Sequence, residues 1–451
     1  MNVCGKILVF TVSVLAVIAP TRAQDQAAAP RHITLQEAVE LALKHNHVVR
    51  IAELRVEEKV HAKEVARSRY LPNIDNDTKV LHSTDSQFIE IPAGSFGTVA
   101  GTPIPEHSDI LNQGGHTFVL SGTTLVEPLT QLITKVKPAN ELASADLAAT
   151  RASAQETENE VALKVHQIYY GILIAQTHRS ATQAKITAAQ ELQTERVQQV
   201  KYGSALDEDF IQSRAQSLQA QQELLTIEMQ LADMTLQLDD AVGLPLTTPL
   251  ELDPAVPEVR DTCQRDECVK TALESNPEIM VARDELRKAS AAVRLSKADY
   301  VPDISAFASY NYQDNVPFLA RNFGTFGVQF KYDIFDGGAR HAAVQESDAQ
   351  LAQVKENLDR VTEDVEVTVK LAYNKLQRTR QMVNVSEELL ALRTESSRVS
   401  AQQLEKGAAL GSQAQNAAAQ ELDARAQLLQ SQLDYTQARD EMNQAMGITP
   451  E

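Results

Sequence analysis

The apolar positions of this chain keep two rhythms. Leu351, Val354, Leu358, Val361 and Val365 recur at alternating steps of three and four, and Val369, Ala372 and Leu376 follow after one added step of four. Such a seam is that of a coiled coil, and the added step is a stutter that relaxes the supercoil. Leu224, Ile227, Leu231, Met234 and Leu238 keep the same spacing earlier in the chain. No proline interrupts the sequence from Gly338 to Leu404, so this stretch predicts a helix on the order of 100 Å long at about 1.5 Å per residue. Elsewhere the period falls to two. Ile304, Ala306, Ala308 and Tyr310 alternate with Ser305, Ser309 and Asn311, and Phe326, Val328, Phe330, Tyr332 and Ile334 form a second alternating run. These runs predict a hairpin with strands at about 303–313 and 323–335.

The chain also repeats itself. Glu37 to Ile74 aligns without a gap on Glu267 to Ile304, matching Ala42, Leu43 and Asn46 with Ala272, Leu273 and Asn276, and Tyr70 and Pro72 with Tyr300 and Pro302. Gly203 and Gly243 then correspond to Gly407 and Gly447. Two repeats result, at 24–250 and 266–451, with 251–265 as linker. Each reads as a helix, a β-hairpin, a very long helix and a return helix. In the first repeat, Thr34 and Glu37 form a capping-box pattern opening a helix that runs to about Arg69, and Asp266 takes the comparable place before a helix ending near Asp299. Pro72 and Pro302 close these helices and mark the boundary between helix and strand. The first hairpin is expected at about 73–88 and 116–127, with residues 87–115, rich in Gly, Pro and Ser, as an enlarged loop.

Charge and compartment narrow the reading. The formal net charge is -19 and no basic block occurs, which argues against nucleic acid as a partner. Lys6, the apolar run Ile7 to Ala19 and the small residues around Ala23 predict a signal peptide at 1–23. Cys4 precedes the apolar run and so is not a lipid-attachment cysteine. No other apolar run reaches the length of a spanning helix, so insertion into a membrane would have to use strands. Nearly half of the aromatic residues lie between Tyr300 and Phe335, as expected of a barrel wall with interfacial rings. Four strands cannot close a barrel, so several chains would have to contribute. The heptads alone favour a periplasmic coiled-coil scaffold or adaptor without a barrel; what they do not explain is the strand hairpin placed between helices in each half.

Taken together, the ITLQEAVELALKHNHVV opening, the two Tyr-x-Pro exits, FDGG at Phe335 to Gly338, the turns at Gly203 and Gly407, and the AVGL and AMGI endings resemble the TolC-like outer-membrane efflux proteins. The resemblance covers almost the whole mature chain. It implies an α+β membrane protein: a homotrimer whose twelve strands, four from each chain, close one barrel in the outer membrane of a Gram-negative-type cell. A periplasmic α-helical coiled-coil barrel continues it. The implied function is a passive exit duct for efflux or type I secretion, docked to a periplasmic adaptor (membrane fusion) protein and an inner-membrane pump of RND, ABC or MFS type.

The resemblance places the adaptor-binding tip at Gly203, Ser204, Ala205 and Leu206 and at Gly407, Ala408, Ala409 and Leu410. Well-known members carry two aspartates after the second tip turn, ringing a constricted aperture; here those positions hold Gln413 and Asn416. Asp209 occupies the matching position after Gly203, beside Asp207 and Glu208, so an acidic ring there would favour cations. Acidic residues in a first helical turn equally complement the helix dipole. Cys263 and Cys268 are candidates for a local disulfide in an oxidising compartment. His45 and His47 point to different helix faces and read as surface residues, and no metal site is expected. No phosphate loop, nucleophile elbow or metalloprotease signature occurs, so neither a cofactor nor enzymatic activity is expected.

Overall fold

The computed structural model describes residues 31–84, 88–112, 117–246, 248–254, 263–314 and 320–448. The expected signal peptide lies outside them, as does much of the 251–265 linker. The elements, in order, are β1 (Arg31–Ile33), α1 (Leu35–His45), α2 (His47–Ser68), β2 (Asn73–His82), β3 (Phe88–Ile91), β4 (Thr98–Val99), β5 (Thr102–Pro103), β6 (Asp109–Asn112) and β7 (Thr117–Glu127). One-turn α3 (Leu129–Gln131) passes through a π-turn at Leu132–Val136 into α4 (Lys137–Lys201), followed by α5 (Asp207–Val242) and β8 (Leu250–Leu252). The second half adds α6 (Arg265–Ser275), α7 (Pro277–Ala298), β9 (Asp303–Asp314), β10 (Asn322–Lys331), α8 (Ala339–Glu405) and α9 (Gly411–Ala445).

The four long strands form one antiparallel sheet in the order β10-β9-β7-β2. Its two faces differ. Ile74, Leu125, Ala308 and Phe326 pair successively across all four strands. The row beside it, Asp75, Thr124, Ser309 and Thr325, points to the opposite face because successive strand residues alternate. The apolar face is uncovered: Ile74 is 64% and Phe326 89% exposed. Among the described residues, the outer edges of β2 and β10 pair with no other strand.

The prolines set where this sheet begins. Lys331 pairs with Asp303 and Asn73 with Val126; the next residue outward is Pro302 in one hairpin and Pro72 in the other, and proline has no N–H to continue a ladder. This corrects the second strand of the second hairpin, which stops at Lys331 rather than running to Phe335. The first strand expected at 73–88 divides as well. Its ladder with β7 ends at His82 and Thr117, while Phe88–Ile91 pairs separately with Asp109–Asn112. The 87–115 insertion is therefore not a plain loop but carries its own ladders, β3–β6 and β4–β5.

The helices expected from Thr34 to Arg69 and from Asp266 to Asp299 are each two helices, broken at the repeated asparagine. Asn46 and Asn276 adopt extended backbone (ψ 128° and 127°). Each caps the helix that follows: Asn46 Oδ1 accepts from Val48 N–H at 2.8 Å, and Asn276 Oδ1 accepts from Glu278 N–H at 2.9 Å. Such caps are worth about 1 kcal/mol each. Thr34 and Glu37 do form the capping box. Asp266 does not cap α6; Gln264 occupies that position and Asp266 sits in the first turn, where its charge complements the helix dipole.

Helices α4 and α8, of 65 and 67 residues, are the long rods. The heptad residues Val365, Val369 and Leu376 are buried between α8, α9 and α6, and Ile227 and Leu238 are buried between α5 and α4. Each rod is packed into a core near its middle, and the first of these cores also takes in Leu433 of α9 from the second repeat. In the first, Tyr169 Oη donates to the carbonyls of Ile33 and Asp253, tying the parallel β1–β8 ribbon to α4.

Candidate functional site: the helix tips and the base of the sheet

Both rods end in the same turn. Gly203 N–H donates to Val200 O and Ser204 N–H to Gln199 O; Gly407 N–H donates to Leu404 O and Ala408 N–H to Gln403 O. These paired bonds are Schellman motifs, with glycine in the left-handed region at φ +73° and +69°. A Cβ at either glycine would meet nothing within 4 Å, so backbone conformation, not space, requires glycine. Around the turns, Tyr202, Leu206 and Leu410 are exposed while Ala205 and Ala409 are half-buried. The eight expected tip residues thus fall into two equivalent, projecting turns.

The four aperture candidates divide by role. Asp209 Oδ2 accepts the Leu206 N–H at 3.0 Å, and Gln413 Oε1 accepts the Leu410 N–H at 3.3 Å. The two side chains therefore perform the same N-terminal capping task in the two repeats, one with charge and one without. Asp207 and Asn416 are exposed. Gln413 and Asn416 line a groove of about 650 Å³ with Lys185, Glu223 and Asp423. Burial works against the Lys185 ammonium there, but Asp423 at 3.1 Å and Glu223 at 3.5 Å overcome it and raise its pKa.

Sequence reasoning missed Glu195. From α4 its carboxylate accepts the Ser412 N–H at 2.8 Å and the Ser412 hydroxyl at 2.5 Å, so the first repeat's rod holds the first turn of α9. No local sequence signal marks a pair 217 residues apart.

At the other end of the rods, Thr130 serves the boundary proline. Its Oγ donates to Pro302 O at 3.0 Å and accepts the Ile304 N–H at 2.8 Å. Pro72 is exposed at the corresponding boundary. After β10, FDGG builds the entry to α8: Asp336 accepts the N–H groups of Gly338 and Arg340 and the Arg340 Nε–H. The Arg340 guanidinium holds the Asp336 carboxyl down at about 2 and lies 5.5 Å from the Tyr300 ring centroid and 5.3 Å from that of Tyr332. This cation–π contact was not legible from the alternation that marked the strand.

Cys263 and Cys268 are joined as a disulfide, with Cα atoms 5.7 Å apart. His45 and His47 are exposed. Among the described residues no group of three His, Cys, Asp or Glu is placed to hold a metal ion, and no helix is long and apolar enough to cross a membrane.

Residues 268–448 match the family model described as outer membrane efflux protein. The match covers nearly all of the second repeat. No curated protein matches the chain in sequence. Solved structures show the outer membrane efflux protein fold across both repeats. The CmeC outer membrane channel of Campylobacter jejuni is 14% identical, with a TM-score of 0.74 over 92% of this chain and 85% of that one. VceC, an outer membrane protein of Vibrio cholerae, is 15% identical, with a TM-score of 0.73 over 92% and 97%. The open state of the MtrE outer membrane channel of Neisseria gonorrhoeae is 15% identical, with a TM-score of 0.70 over 92% and 89%. The chain thus has the efflux-protein architecture of a strand sheet continued by long helices, and at these identities the likeness speaks for fold.

Proposed function

We propose that the protein is the outer-membrane channel of a tripartite efflux or type I secretion system, a passive duct through which an inner-membrane pump drives substrates. The observation that carries this reading is the sheet: an apolar row, Ile74, Leu125, Ala308 and Phe326, lies uncovered on one face, backed by a polar row on the other. That is a barrel wall between lipid and water. Its unpaired edges require neighbouring strands, because an open edge in hydrocarbon leaves backbone groups unsatisfied. Three chains would supply twelve strands. The rods, each about 100 Å at 1.5 Å per residue, would carry the duct across the periplasm.

The turns at Gly203 and Gly407 are the surfaces proposed to receive a periplasmic adaptor, since Tyr202, Leu206 and Leu410 are exposed around them and a Cβ at either glycine would meet nothing within 4 Å. Asp207 and Asp209 are proposed to supply the acidic part of the aperture, with Gln413 and Asn416 as the uncharged part. Transport of this kind needs no catalytic residue; the energy would come from the pump.

Cell fractionation with gel migration before and after boiling tests the reading. A channel is recovered from the outer membrane as a heat-sensitive trimer that conducts ions in planar bilayers. Recovery solely as a soluble monomer would overturn it and favour a periplasmic coiled-coil scaffold.

A further inference from the structure

The two outer helices of the tip carry stripes that their own chain leaves uncovered. On α5, Ile211, Leu218, Leu225, Met229 and Leu236 recur at steps of seven and four and are 47–66% exposed, whereas Leu238 is buried in the core. On α8, Met382, Val385, Leu392, Val399 and Leu404 are 37–67% exposed. Apolar positions at steps of seven are what one coiled-coil helix offers another. Yet the four helices that meet in the tip turns lie in the order α5-α4-α9-α8. Two helices stand between the stripes, so neither stripe covers the other within one chain.

Bonds between the helices fix their relative heights. One rung runs from Glu223 of α5 to Lys185 of α4, from Lys185 to Asp423 of α9 and, one turn away, from Gln420 to Arg393 of α8. A second joins Glu228 to Arg179, the adjoining His178 to Gln430, and the adjoining Ser431 to Ser386. Leu225 therefore stands level with Leu392, and Met229 with Val385. Counting along both helices at about 1.5 Å per residue brings Leu218 level with Val399, Ile211 with Leu404 and Leu236 with Met382, each within about 5 Å. The exposed positions of one edge thus match those of the other.

We infer that the α5 stripe is covered by the α8 stripe of a second copy of this chain, running antiparallel along it. The inference rests on the channel reading, in which the sheet edges β2 and β10 likewise need a neighbouring copy. Because the contact joins two different surfaces, each copy leaves one stripe for the next, and the series ends only when a ring closes. Charge disfavours the like-with-like alternative. Helix α5 carries eight acidic residues and one basic, so two α5 stripes facing each other would repel. Between Arg378 and Leu404, α8 has four arginines against three glutamates, and Arg393 stands on the rung of Glu223.

Bismaleimide cross-linking of the purified full-length protein in detergent, read on boiled denaturing gels, tests it. Cys263 and Cys268 are joined to each other and do not compete. Leu225→Cys/Leu392→Cys should give covalent dimer and trimer bands. Leu225→Cys/Leu371→Cys, whose α8 position lies about 30 Å farther from the tip, should stay monomeric. Met229→Cys/Val385→Cys supplies a second matched pair should the first not assemble. The inference is overturned if heat-sensitive trimer shows no cross-link in either matched pair, or if the mismatched pair cross-links equally. It is also overturned if the Leu225→Cys thiol reacts freely with a bulky water-soluble maleimide in the assembled protein, which would leave the stripe open to a different partner. Those outcomes in a membrane trimer leave the channel reading standing, whereas recovery solely as soluble monomer defeats both, so the two failures differ.

Discussion

The side-chain amide of Asn276 donates to the carbonyl of Ala445 at 3.0 Å. That one bond joins the break between α6 and α7 to the last turn of α9, and Asn46 reaches Ala241 in the same way in the first repeat, at 3.4 Å. The glycine following each return helix lies hard against the break. A Cβ at Gly447 would fall 2.5 Å from Ser275 O, and one at Gly243 would fall 2.7 Å from His45 Cβ.

The glycines therefore separate experimentally. All four have positive φ, so alanine at any of them carries backbone strain of about 1–2 kcal/mol. Only Gly243 and Gly447 add a clash. Gly447→Ala is expected to lower the thermal unfolding temperature well beyond Gly407→Ala, monitored by circular dichroism; equal shifts would contradict the packed joint.

Asp209 makes two separable contributions. Asp209→Ala removes the acceptor of the Leu206 N–H and should cost about 1 kcal/mol locally, whereas Asp209→Asn keeps an acceptor. Charge behaves differently from capping. The double change Asp207→Asn/Asp209→Asn should reduce cation-over-anion selectivity in bilayer recordings, and unchanged selectivity would confine Asp209 to capping.

The two faces of the sheet should respond oppositely to charge. Phe326→Arg places a guanidinium on the apolar row and should cost about 2–4 kcal/mol near the bilayer midplane. Thr325→Arg points to the polar face. Heat-sensitive trimer should therefore be lost with Phe326→Arg and retained with Thr325→Arg; the reverse result would invert the assignment of lipid and lumen faces.

Asp146 predicts an acid-limb effect. Burial disfavours its charge, but Lys288 at 2.7 Å and Lys59 at 3.1 Å outweigh that and lower its pKa. A carboxylate with a depressed folded pKa stabilises above its ordinary value and loses that contribution as pH falls through the lowered one. Asp146→Asn should therefore destabilise at neutral pH, by roughly 1 kcal/mol or less for a partly solvated network, and the difference from wild type should vanish in strong acid. Thermal unfolding across an acid pH series measures it.

The Cys263–Cys268 bond closes a short loop, for which chain entropy gives about 2 kcal/mol. Thiol counting with and without reductant should reveal two masked cysteines, and Cys263→Ser should loosen α6 to hydrogen exchange. Equal counts would show free thiols.

How far the sequence reached can be judged element by element. The 3-4 spacing from Leu351 to Leu376 identified a rod, because a helix's buried stripe is a local periodic property. Alternation from Ile304 to Tyr310 identified a strand for the same reason. Prolines 72 and 302 fixed where strands begin, since a missing N–H acts wherever it stands. The repetition of Asn46 at Asn276 was equally visible, but not its meaning: an asparagine becomes a helix break when its amide finds a carbonyl such as Ala445 O, and that carbonyl is brought by tertiary packing. Glu195 against Ser412 and Thr130 beneath Pro302 had no sequence signature at all. Sequence by itself determined the elements, their order and their twofold recurrence, because these follow from periodicity and backbone chemistry. Tertiary structure alone decided which distant side chains share a cap, a boundary or a cavity, because proximity across hundreds of residues is set by how the rods pack.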